Sequence, residues 1–275
     1  MNHRIGFMQG RLCEPVDGKI QAFPWRDWES EFSIASSIDM HLLEWTIDQE
    51  RLYENPLMTA EGQKIIRQLC KLHDLSIPSL TGDCFMQQPY WKVEGQARTD
   101  LQSDFLKIVQ SCSLVGIQMI AIPLVDNGSL DTTEQEDNLI GYLLANKDFL
   151  TRKNVKIIFE SDFAPAQLAR FIKRLPPTHF GINYDMGNSA ALGFDPVEEF
   201  NAYGPYILNV HIKDRMLNGG TVALGEGSVN FTKVFSLLKT IKYNGNYILQ
   251  TARSNKGQHL ELISKYIKFI EDRIN

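Results

Sequence analysis

Eight short apolar runs, separated by longer stretches of helical periodicity, are the feature of this sequence that most restricts its fold. Most of the runs contain four to seven residues and are bounded by Gly, Pro, Asp or Asn, as is typical of buried parallel strands. The runs are Ile5–Met8, Leu42–Trp45, Ile77–Leu80, Met119–Leu124, Val155–Phe159, Phe180–Tyr184, Tyr206–Ile212 and Tyr247–Leu249.

The intervals between these runs have the periodicity of amphipathic helices. In Ala97–Val115 the apolar residues fall on one face, and Gly116 follows as a C-terminal stop. Asn230 is placed to cap another helix at its N-terminus. The other helices predicted in this way are Glu61–His73, Phe231–Ile241 and Leu260–Ile270.

Repeated alternation of strand and helix predicts an α/β protein with one closed (β/α)8 TIM barrel over residues 1–275. The length of 275 residues agrees, because such barrels typically have about 250 residues. The alternative is an open, doubly wound sheet. That fold more often has a glycine-rich turn after its first strand, whereas GFMQGR does not match the GxGxxG pattern.

Composition and charge narrow the classes of partner and location. The net charge of −5 disfavours a nucleic-acid partner, and no apolar stretch is long enough to span a membrane. The short apolar run in MNHRIGFMQGR does not predict a signal peptide, and four widely spaced cysteines suit reduced thiols. We therefore expect a cytoplasmic protein. Self-association into a homo-oligomer stays open, because only fold-level analogy bears on it.

Polar side chains follow the predicted strands, at the end of a barrel where catalytic groups lie. A core does not tolerate such groups unless they are paired or bind a ligand. Those that we single out are Arg11, Glu44, Asp83, Glu160, Asp185, Asn188, His211, Lys213, Arg215, Gln250 and Arg253.

Glu160, Asp185 and His211 come from three successive strands and suit one divalent cation, Mn²⁺, Mg²⁺, Co²⁺ or Zn²⁺. Gln250, from the next strand, can add a neutral carbonyl oxygen to this set. The alternative is a network of salt bridges that involves Lys213 and Arg253 inside a barrel that has lost its metal.

Four segments in order along the chain resemble the xylose isomerase-like superfamily of barrels. They are FES at the fifth strand, YDMGN at the sixth, VHIKDR at the seventh and the LGEGSVNF loop. This superfamily contains sugar isomerases, sugar and sugar-phosphate epimerases, inosose dehydratases and enzymes of the AP-endonuclease type.

The resemblance implies a metal site and a reaction. In the epimerase-like members, Glu, Asp, His and Glu hold one divalent metal, which corresponds here to Glu160, Asp185, His211 and Gln250. The two glutamates also move a proton on opposite faces of the substrate. Glu160 keeps that role as a general base, but Gln250 cannot, so that Lys213 or water would be the second acid.

The implied activity is that of a metal-dependent isomerase or epimerase of a sugar or sugar phosphate, through an enediol. One alternative is a dehydratase of a keto-sugar or cyclitol, and another is a barrel that binds sugar without turnover. Nucleic-acid repair is disfavoured, because that chemistry uses a cluster of metals with many His ligands. Only His211, of six histidines, follows a predicted strand convincingly.

The remaining candidates are assigned to the substrate. Arg11, Lys213, Arg215 and Arg253 predict an anionic sugar, because guanidinium groups bind carboxylate and phosphate. Asn188 occupies the segment after the strand-six Asp, where relatives often have His. Glu226, between two glycines, resembles a loop residue that is structural or contacts substrate in the superfamily.

Three of these assignments have structural alternatives. Glu44 contacts substrate or pairs with Arg11. Asp83 contacts substrate or caps the next segment. Lys213 contacts the reacting groups or forms a local salt bridge with Asp214.

Overall fold

The computed structural model of the protein describes residues 4–274. Residues 1–3 and 275, which the predicted domain includes, lie outside the described part. The strands are β1 (Ile5–Met8), β2 (Leu42–Ile47), β3 (Ser76–Gly82), β4 (Met119–Leu124), β5 (Lys156–Ser161), β6 (Phe180–Asp185), β7 (Ile207–Ile212), β8 (Asp214–Arg215), β9 (Thr221–Val222) and β10 (Asn246–Leu249).

Eight of these strands form one closed barrel. Their order around it is β1, β10, β7, β6, β5, β4, β3, β2, and the neighbouring strands run parallel. β8 and β9 form a separate antiparallel hairpin beyond the end of β7. The prediction of a single (β/α)8 TIM barrel is therefore confirmed, and all eight predicted runs are barrel strands.

Helices surround the barrel. The four that the sequence predicts are confirmed with small shifts of their ends, and the Asn230 side chain accepts a hydrogen bond from the Lys233 N–H as an N-cap does. The helices are α1 (Ser30–Ser37), α2 (Ala60–His73), α3 (Asp83–Gln87), α4 (Gly95–Val115), α5 (Thr133–Ala145), α6 (Lys147–Lys153), α7 (Pro165–Ile172), α8 (Met186–Ala191), α9 (Pro196–Tyr203), α10 (Phe231–Thr240) and α11 (His259–Ile274). Across residues 4–274, none of the helices combines the length and apolarity that a membrane span requires.

β5 and β6 both extend beyond their predicted apolar runs, and this places polar residues inside the barrel wall. β5 continues through Glu160 and β6 through Asp185, both of which the sequence places just after the strands. In the register of β6 and β7, Asp185 pairs with His211. Paired residues of neighbouring parallel strands face the same side of a sheet. Asp185 and His211 therefore face the barrel axis together.

The loop between β1 and α1 is attached to β2 by aromatic packing. Trp28 lies against Trp45 with a distance of 5.7 Å between ring centroids, and Phe23 lies 5.5 Å from the same ring. Trp25 packs edge-on to Phe23 and is covered by the Arg51 guanidinium at 3.8 Å. The tryptophans of this loop therefore hold it in place close to the end of the barrel where the polar residues gather.

Candidate active site

Two carboxylates and one imidazole meet at the C-terminal ends of β5, β6 and β7. Glu160, Asp185 and His211 are all buried, and each offers one ligand atom such that these atoms lie within 4.8 Å of one another. The sequence places the three residues together only through the predicted barrel, and the structure confirms that their side chains converge.

His211 is held at both ring nitrogens. Its Nε2 lies 2.6 Å from Glu44 Oε1, while its Nδ1 lies 3.0 Å from the Asn183 amide nitrogen and 3.3 Å from Glu160 Oε2. In the neutral form of the ring, Asn183 donates to Nδ1 and the imidazole proton lies on Nε2, which donates to Glu44. The lone pair of Nδ1 then faces Glu160. Metal-binding histidines are commonly oriented by a carboxylate in this way.

Glu44 is itself fixed deep in the barrel. It is fully buried and accepts hydrogen bonds from Ser79, Thr81 and the Asn209 amide. Within the described residues, the side chain of Glu44 bonds to these three groups and to His211, and not to Arg11. The predicted pairing of Glu44 with Arg11 is therefore wrong. A sequence signal for this network exists: polar residues recur at every second position of otherwise apolar strands, which marks them as inward-facing.

The two carboxylates beside His211 have the largest net effect on its pKa. Burial alone disfavours an imidazolium, but Glu44 and Glu160 outweigh it and raise the pKa of His211 to about 10. Burial likewise favours protonated Glu160, whereas His211, Lys213 and Asn183 together lower the pKa of this carboxyl. Without a cation between them, the imidazole thus binds a proton tightly.

Lys213 contacts the triad at Asp185. Its Nζ lies 3.3 Å from Asp185 Oδ2 and 3.3 Å from Gln250 Oε1. Burial raises the pKa of Asp185, and the Lys213 charge offsets only part of this rise. The aliphatic stem of Lys213 passes over Gly187, where a Cβ atom would lie 2.7 Å from the lysine Cγ.

Asn188, at the start of α8, connects the two carboxylates. Its side-chain nitrogen donates to Glu160 at 2.6 Å, and its backbone N–H donates to Asp185 at 2.8 Å. Its side-chain oxygen accepts from Arg215 at 2.8 Å. Arg215 also donates twice to the Gly219 carbonyl in the hairpin of β8 and β9. The structure thus joins Arg215 to the site through Asn188.

Gln21, in the loop after β1, is a site residue that sequence reasoning missed. Its amide nitrogen donates to Asp83 at 2.6 Å, and its amide oxygen accepts from Gln250 at 2.9 Å and from Arg11 at 3.4 Å. The residue lies in an irregular loop without periodicity, so no sequence signal marked it.

Asp83 faces this group from the end of β3. Burial, with a smaller contribution from Asp48, raises the pKa of Asp83 to about 7. The residue is the first of α3 and its side chain does not cap that helix, whose N-cap is Gly82. The N-cap alternative for Asp83 is therefore wrong.

Arg253 and Arg11 are both tied to backbone carbonyls. Arg253 donates to the carbonyls of Gly10 and Cys13, the latter at 2.7 Å, and so anchors the loop after β1. Arg11 donates through Nε to the Thr251 carbonyl at 3.0 Å. The structure therefore places these two arginines together, between the loops after β1 and β10.

Asp214 stabilises the loop that contains Glu226. It is fully buried and accepts hydrogen bonds from the backbone N–H groups of Gly225, Gly227 and Val229 at 2.9 to 3.1 Å. The alternative in which Asp214 pairs with Lys213 is therefore wrong, because Lys213 contacts Asp185 and Gln250. The Glu226 side chain is exposed, and the structure does not bring it to the triad.

The donor set fits a divalent cation. Two carboxylate oxygens, a neutral imidazole nitrogen and, from Gln250, an amide oxygen are ligands that Mn²⁺, Mg²⁺, Co²⁺ and Zn²⁺ all accept. His211 Nδ1 faces Glu160 and would bind a cation there in place of the second imidazole proton, whereas Lys213 supplies a positive charge next to Asp185.

The model of one protein family matches residues 32–273, which is most of the chain, and describes a xylose isomerase-like TIM barrel. The chain belongs to this family. Within the family, it is 22% identical over 279 residues to a putative L-ribulose-5-phosphate 3-epimerase, SgbU, of Haemophilus influenzae, an alignment that covers 95% of this chain and 93% of the relative.

Two further relatives of this xylose isomerase-like chain align over shorter regions. An uncharacterized protein of Methanocaldococcus jannaschii, MJ1311, is 27% identical over 116 residues, and the inosose dehydratase of Geobacillus kaustophilus is 25% identical over 126 residues. These alignments cover 40% and 39% of this chain, and the chain spans only 39% and 41% of the relatives' own lengths.

Solved structures share the fold of this family member. D-psicose 3-epimerase, crystallised in the presence of D-fructose, has a TM-score of 0.78 at 12% identity, with 98% of this chain and 99% of the other covered. The IOLI protein with a bound zinc atom has a TM-score of 0.76 at 15% identity, with 98% of each chain covered. At these identities the likeness shows the fold.

Proposed function

We propose that the protein is a divalent-metal-dependent isomerase or epimerase that acts on a sugar or sugar phosphate by proton transfer through an enediol. The observation that supports this most is the convergence of Glu160, Asp185 and His211, with ligand atoms within 4.8 Å of one another. Membership of the xylose isomerase-like family agrees with it.

In this proposal Glu160, Asp185, His211 and Gln250 hold the cation. The orientation of His211 by Glu44 supports its role, because the carboxylate fixes the ring and leaves Nδ1 free to bind. When bound, a divalent cation polarises a substrate carbonyl and stabilises the negative charge that develops on its oxygen. Glu44 then acts as a positioning residue and not, as the sequence suggested, as a contact of the substrate.

The chain's own proton-transfer groups are Glu160 and Lys213. Glu160 is held ionised and directed by Asn183 and Asn188, so it can remove a proton from the carbon next to the carbonyl. Lys213, on the other side of the triad, can return a proton as an ammonium donor. Gln250 contributes an amide oxygen only, because an amide has no acid–base role near neutral pH.

The named relatives support a sugar substrate. The relative that aligns over nearly the whole chain is described as a putative L-ribulose-5-phosphate 3-epimerase, and a structural neighbour is a D-psicose 3-epimerase. Both names describe inversion beside a carbonyl, which requires removal and return of one proton. Asn188 and Arg215 lie beside Glu160 and can contact a substrate that binds there. Glu226 could contact such a substrate only if its loop moved.

Dehydration of a keto-sugar or cyclitol is the second candidate. The observation that favours it is the presence of two different groups in the site, the Glu160 carboxylate as a base and the Lys213 ammonium as an acid next to Asp185. Glu160 would remove the proton, and Lys213 would protonate the departing hydroxyl group. The partial alignment with inosose dehydratase agrees with this chemistry.

The first test measures the metal content of the purified protein and its melting temperature before and after chelation and Mn²⁺ addition. We expect near-stoichiometric metal and a melting temperature that falls on chelation and recovers with Mn²⁺, because a bound ligand stabilises the folded state. Absence of metal together with an unchanged melting temperature would leave a barrel that binds sugar without this chemistry.

The second test follows exchange of substrate carbon-bound hydrogen for deuterium in D₂O by NMR, with ketoses and their phosphates. Isomerase or epimerase activity gives deuterium in an otherwise intact sugar, whereas dehydration gives loss of water. Glu160→Gln should abolish exchange. The matched control is Glu136→Gln, which removes a buried carboxylate on the outer helix α5, paired with Arg170 and Arg174, and should retain it.

A further inference from the structure

Three buried polar atoms without a hydrogen-bond partner lie between the loops that follow β1 and β10. They are Arg11 Nη1, Thr251 Oγ1 and Arg253 Nε, and no described residue offers any of them a partner. Direct contacts connect the three residues' segments: Arg11 donates to the Thr251 carbonyl, and Arg253 donates to the Gly10 carbonyl beside Arg11. Since buried polar groups are nearly always paired, such a group of orphans requires an explanation.

Neither arginine is paired with a carboxylate among residues 4–274. The charge of Glu31 acts on both arginines, but its oxygens accept from the backbone N–H groups of Gly10 and Leu12 at 2.9 to 3.0 Å. Asp83 is engaged by Gln21. Two guanidinium groups therefore share one region without a counter-ion in contact with either.

This arrangement is costly unless an anion completes it. Burial, and after it the charge of Arg253, lowers the pKa of Arg11 to about 9, although the charges of Glu31 and Asp83 act in the opposite direction. A buried charge is normally neutralised by a partner of opposite sign. Guanidinium N–H groups and a threonine hydroxyl are the donors that bind phosphate and carboxylate oxygens.

Arg253 borders a cavity on the side of β10. This cavity of about 390 Å³ is lined by Arg253 and by residues of the loop after β10 and of α11. Lys265 adds a second positive charge to its wall, Ser254 and Asn255 add polar groups, and Glu261 adds one opposing carboxylate. Arg253 is thus reached from this cavity, whereas Arg11 and Thr251 do not line it, and the three unpartnered atoms are buried.

The group also borders the reaction centre. Thr251 follows Gln250 directly in the chain, and Arg11 reaches Gln250 through the amide oxygen of Gln21. The bond from Arg11 to that oxygen, at 3.4 Å, is long for a hydrogen bond. An anionic oxygen can take the place of the Gln21 oxygen and form a stronger, charge-assisted bond with Arg11.

We propose that Arg11, Thr251 and Arg253 form an anion site for the phosphate or carboxylate end of the substrate, next to Gln250. The identity of the ligand as part of a substrate rests on the proposed function, whereas the anion site itself does not. A substrate bound in this way would present its carbon chain from Gln250 towards Glu160 and His211. The substrate class is accordingly a sugar phosphate or sugar acid, not a neutral sugar.

Titration calorimetry with inorganic phosphate and, separately, acetate tests the anion site. The measurement uses the full chain in chelator at low ionic strength, so that metal does not contribute. We expect one phosphate per chain. A phosphate preference assigns the site to sugar phosphates, and an acetate preference assigns it to sugar acids.

Two variants connect that binding to the named residues. Thr251→Val removes a hydroxyl that has no partner, so the fold should be retained while affinity falls about three- to tenfold. Arg11→Gln should lower affinity by about ten- to hundredfold, since a charged donor is lost. The matched control is Thr46→Val, which removes another buried, unpartnered hydroxyl in β2 and should leave anion affinity unchanged.

The outcomes separate the anion site from the proposed enzyme. Phosphate or acetate binding that is lost in the Thr251 and Arg11 variants supports the site, even if no deuterium exchange into any sugar is found. Absence of binding for both anions overturns it, even if the protein proves to be an epimerase. Binding that Thr251→Val leaves intact, or that Thr46→Val weakens equally, overturns it as well.

Discussion

The proposed role of Glu44 is to position His211, not to contact a metal or a substrate. Glu44 holds the Nε2–H of His211 and is itself held by Ser79, Thr81 and Asn209. We expect Glu44→Gln to weaken divalent-metal binding about 10- to 100-fold, because the amide no longer fixes the imidazole by charge. Competition with a chromophoric chelator measures this affinity. Glu136→Gln serves as control, and equal weakening in both variants would contradict the role of Glu44.

The charge of residue 250 should affect how strongly the proposed site binds a divalent cation. Replacing its amide by a carboxylate in Gln250→Glu places a negative charge beside Lys213 Nζ, which now lies 3.3 Å from the amide oxygen. We expect metal affinity to rise by tenfold or more, since a carboxylate binds divalent cations better than an amide does. Unchanged affinity in the chelator competition would mean that residue 250 is not a ligand.

Through Glu31, which holds the loop after β1, the free energy of unfolding should depend on pH. Burial raises the pKa of Glu31 from 4.5 to about 7, in spite of hydrogen bonds from Gly10 and Leu12. Between these values the folded state retains a proton that the unfolded chain releases, so this residue's contribution to stability is complete below about pH 4.5 and is lost as pH rises through about 7. The loss is on the order of 3 kcal/mol.

Denaturant unfolding between pH 4.5 and 8 checks this expectation. The difference in unfolding free energy between the wild type and Glu31→Gln should shift against the wild type as pH rises. Contributions from other carboxyls cancel in this difference. A difference that stays constant over the range would show that Glu31 is ionised throughout.

At the scale of elements, α8 packs tightly against Lys213, which follows β7. Gly187 of α8 has no room for a Cβ atom, because the Lys213 stem lies against it. We expect Gly187→Ala to displace Lys213, to destabilise the fold by about 1–3 kcal/mol and to lower turnover. Melting temperature and kcat measure the two effects.

Gly141, in α5, is the matched control for that substitution. A Cβ atom there meets no other atom within 4 Å, so Gly141→Ala should stabilise the helix by roughly 0.5–1 kcal/mol and leave turnover unchanged. Retention of full activity in Gly187→Ala would show that Lys213 is not needed where it lies.

The elements that the sequence predicts are those with strong periodicity. The barrel strands are continuous apolar runs because both of their faces are buried, and the predicted helices carry a clear apolar face. The hairpin of β8 and β9 was missed because its strands have two residues each and are polar. The site's triad follows from the order of the strands, whereas Gln21 and the role of Asp214 depend on loop geometry that no local pattern encodes.

At the scale of the whole molecule, the barrel brings together residues that are far apart in sequence. Glu44 and His211 are separated by 167 positions, and Arg11 and Thr251 by 240. The closure of β1 against β10 produces the second contact, and inward-facing side chains across the barrel produce the first. Once the fold is predicted, the strand ends indicate which residues meet, but not which atoms pair. That is why the predicted pairing of Arg11 with Glu44 is wrong, although Arg11 follows β1 and Glu44 lies in the neighbouring β2.

Because Glu44 lies deep in the barrel, the orientation of His211 and the contacts with a sugar would depend on different parts of the fold. The ring orientation of His211 is set from β2 and β3, deep in the barrel, while the groups that would meet a sugar come from loops at its end. Within the proposed function, a change in the loop residues that contact a sugar would therefore leave the orientation of the His211 ring intact. Asn188 would be an exception, because it also holds Glu160 and Asp185.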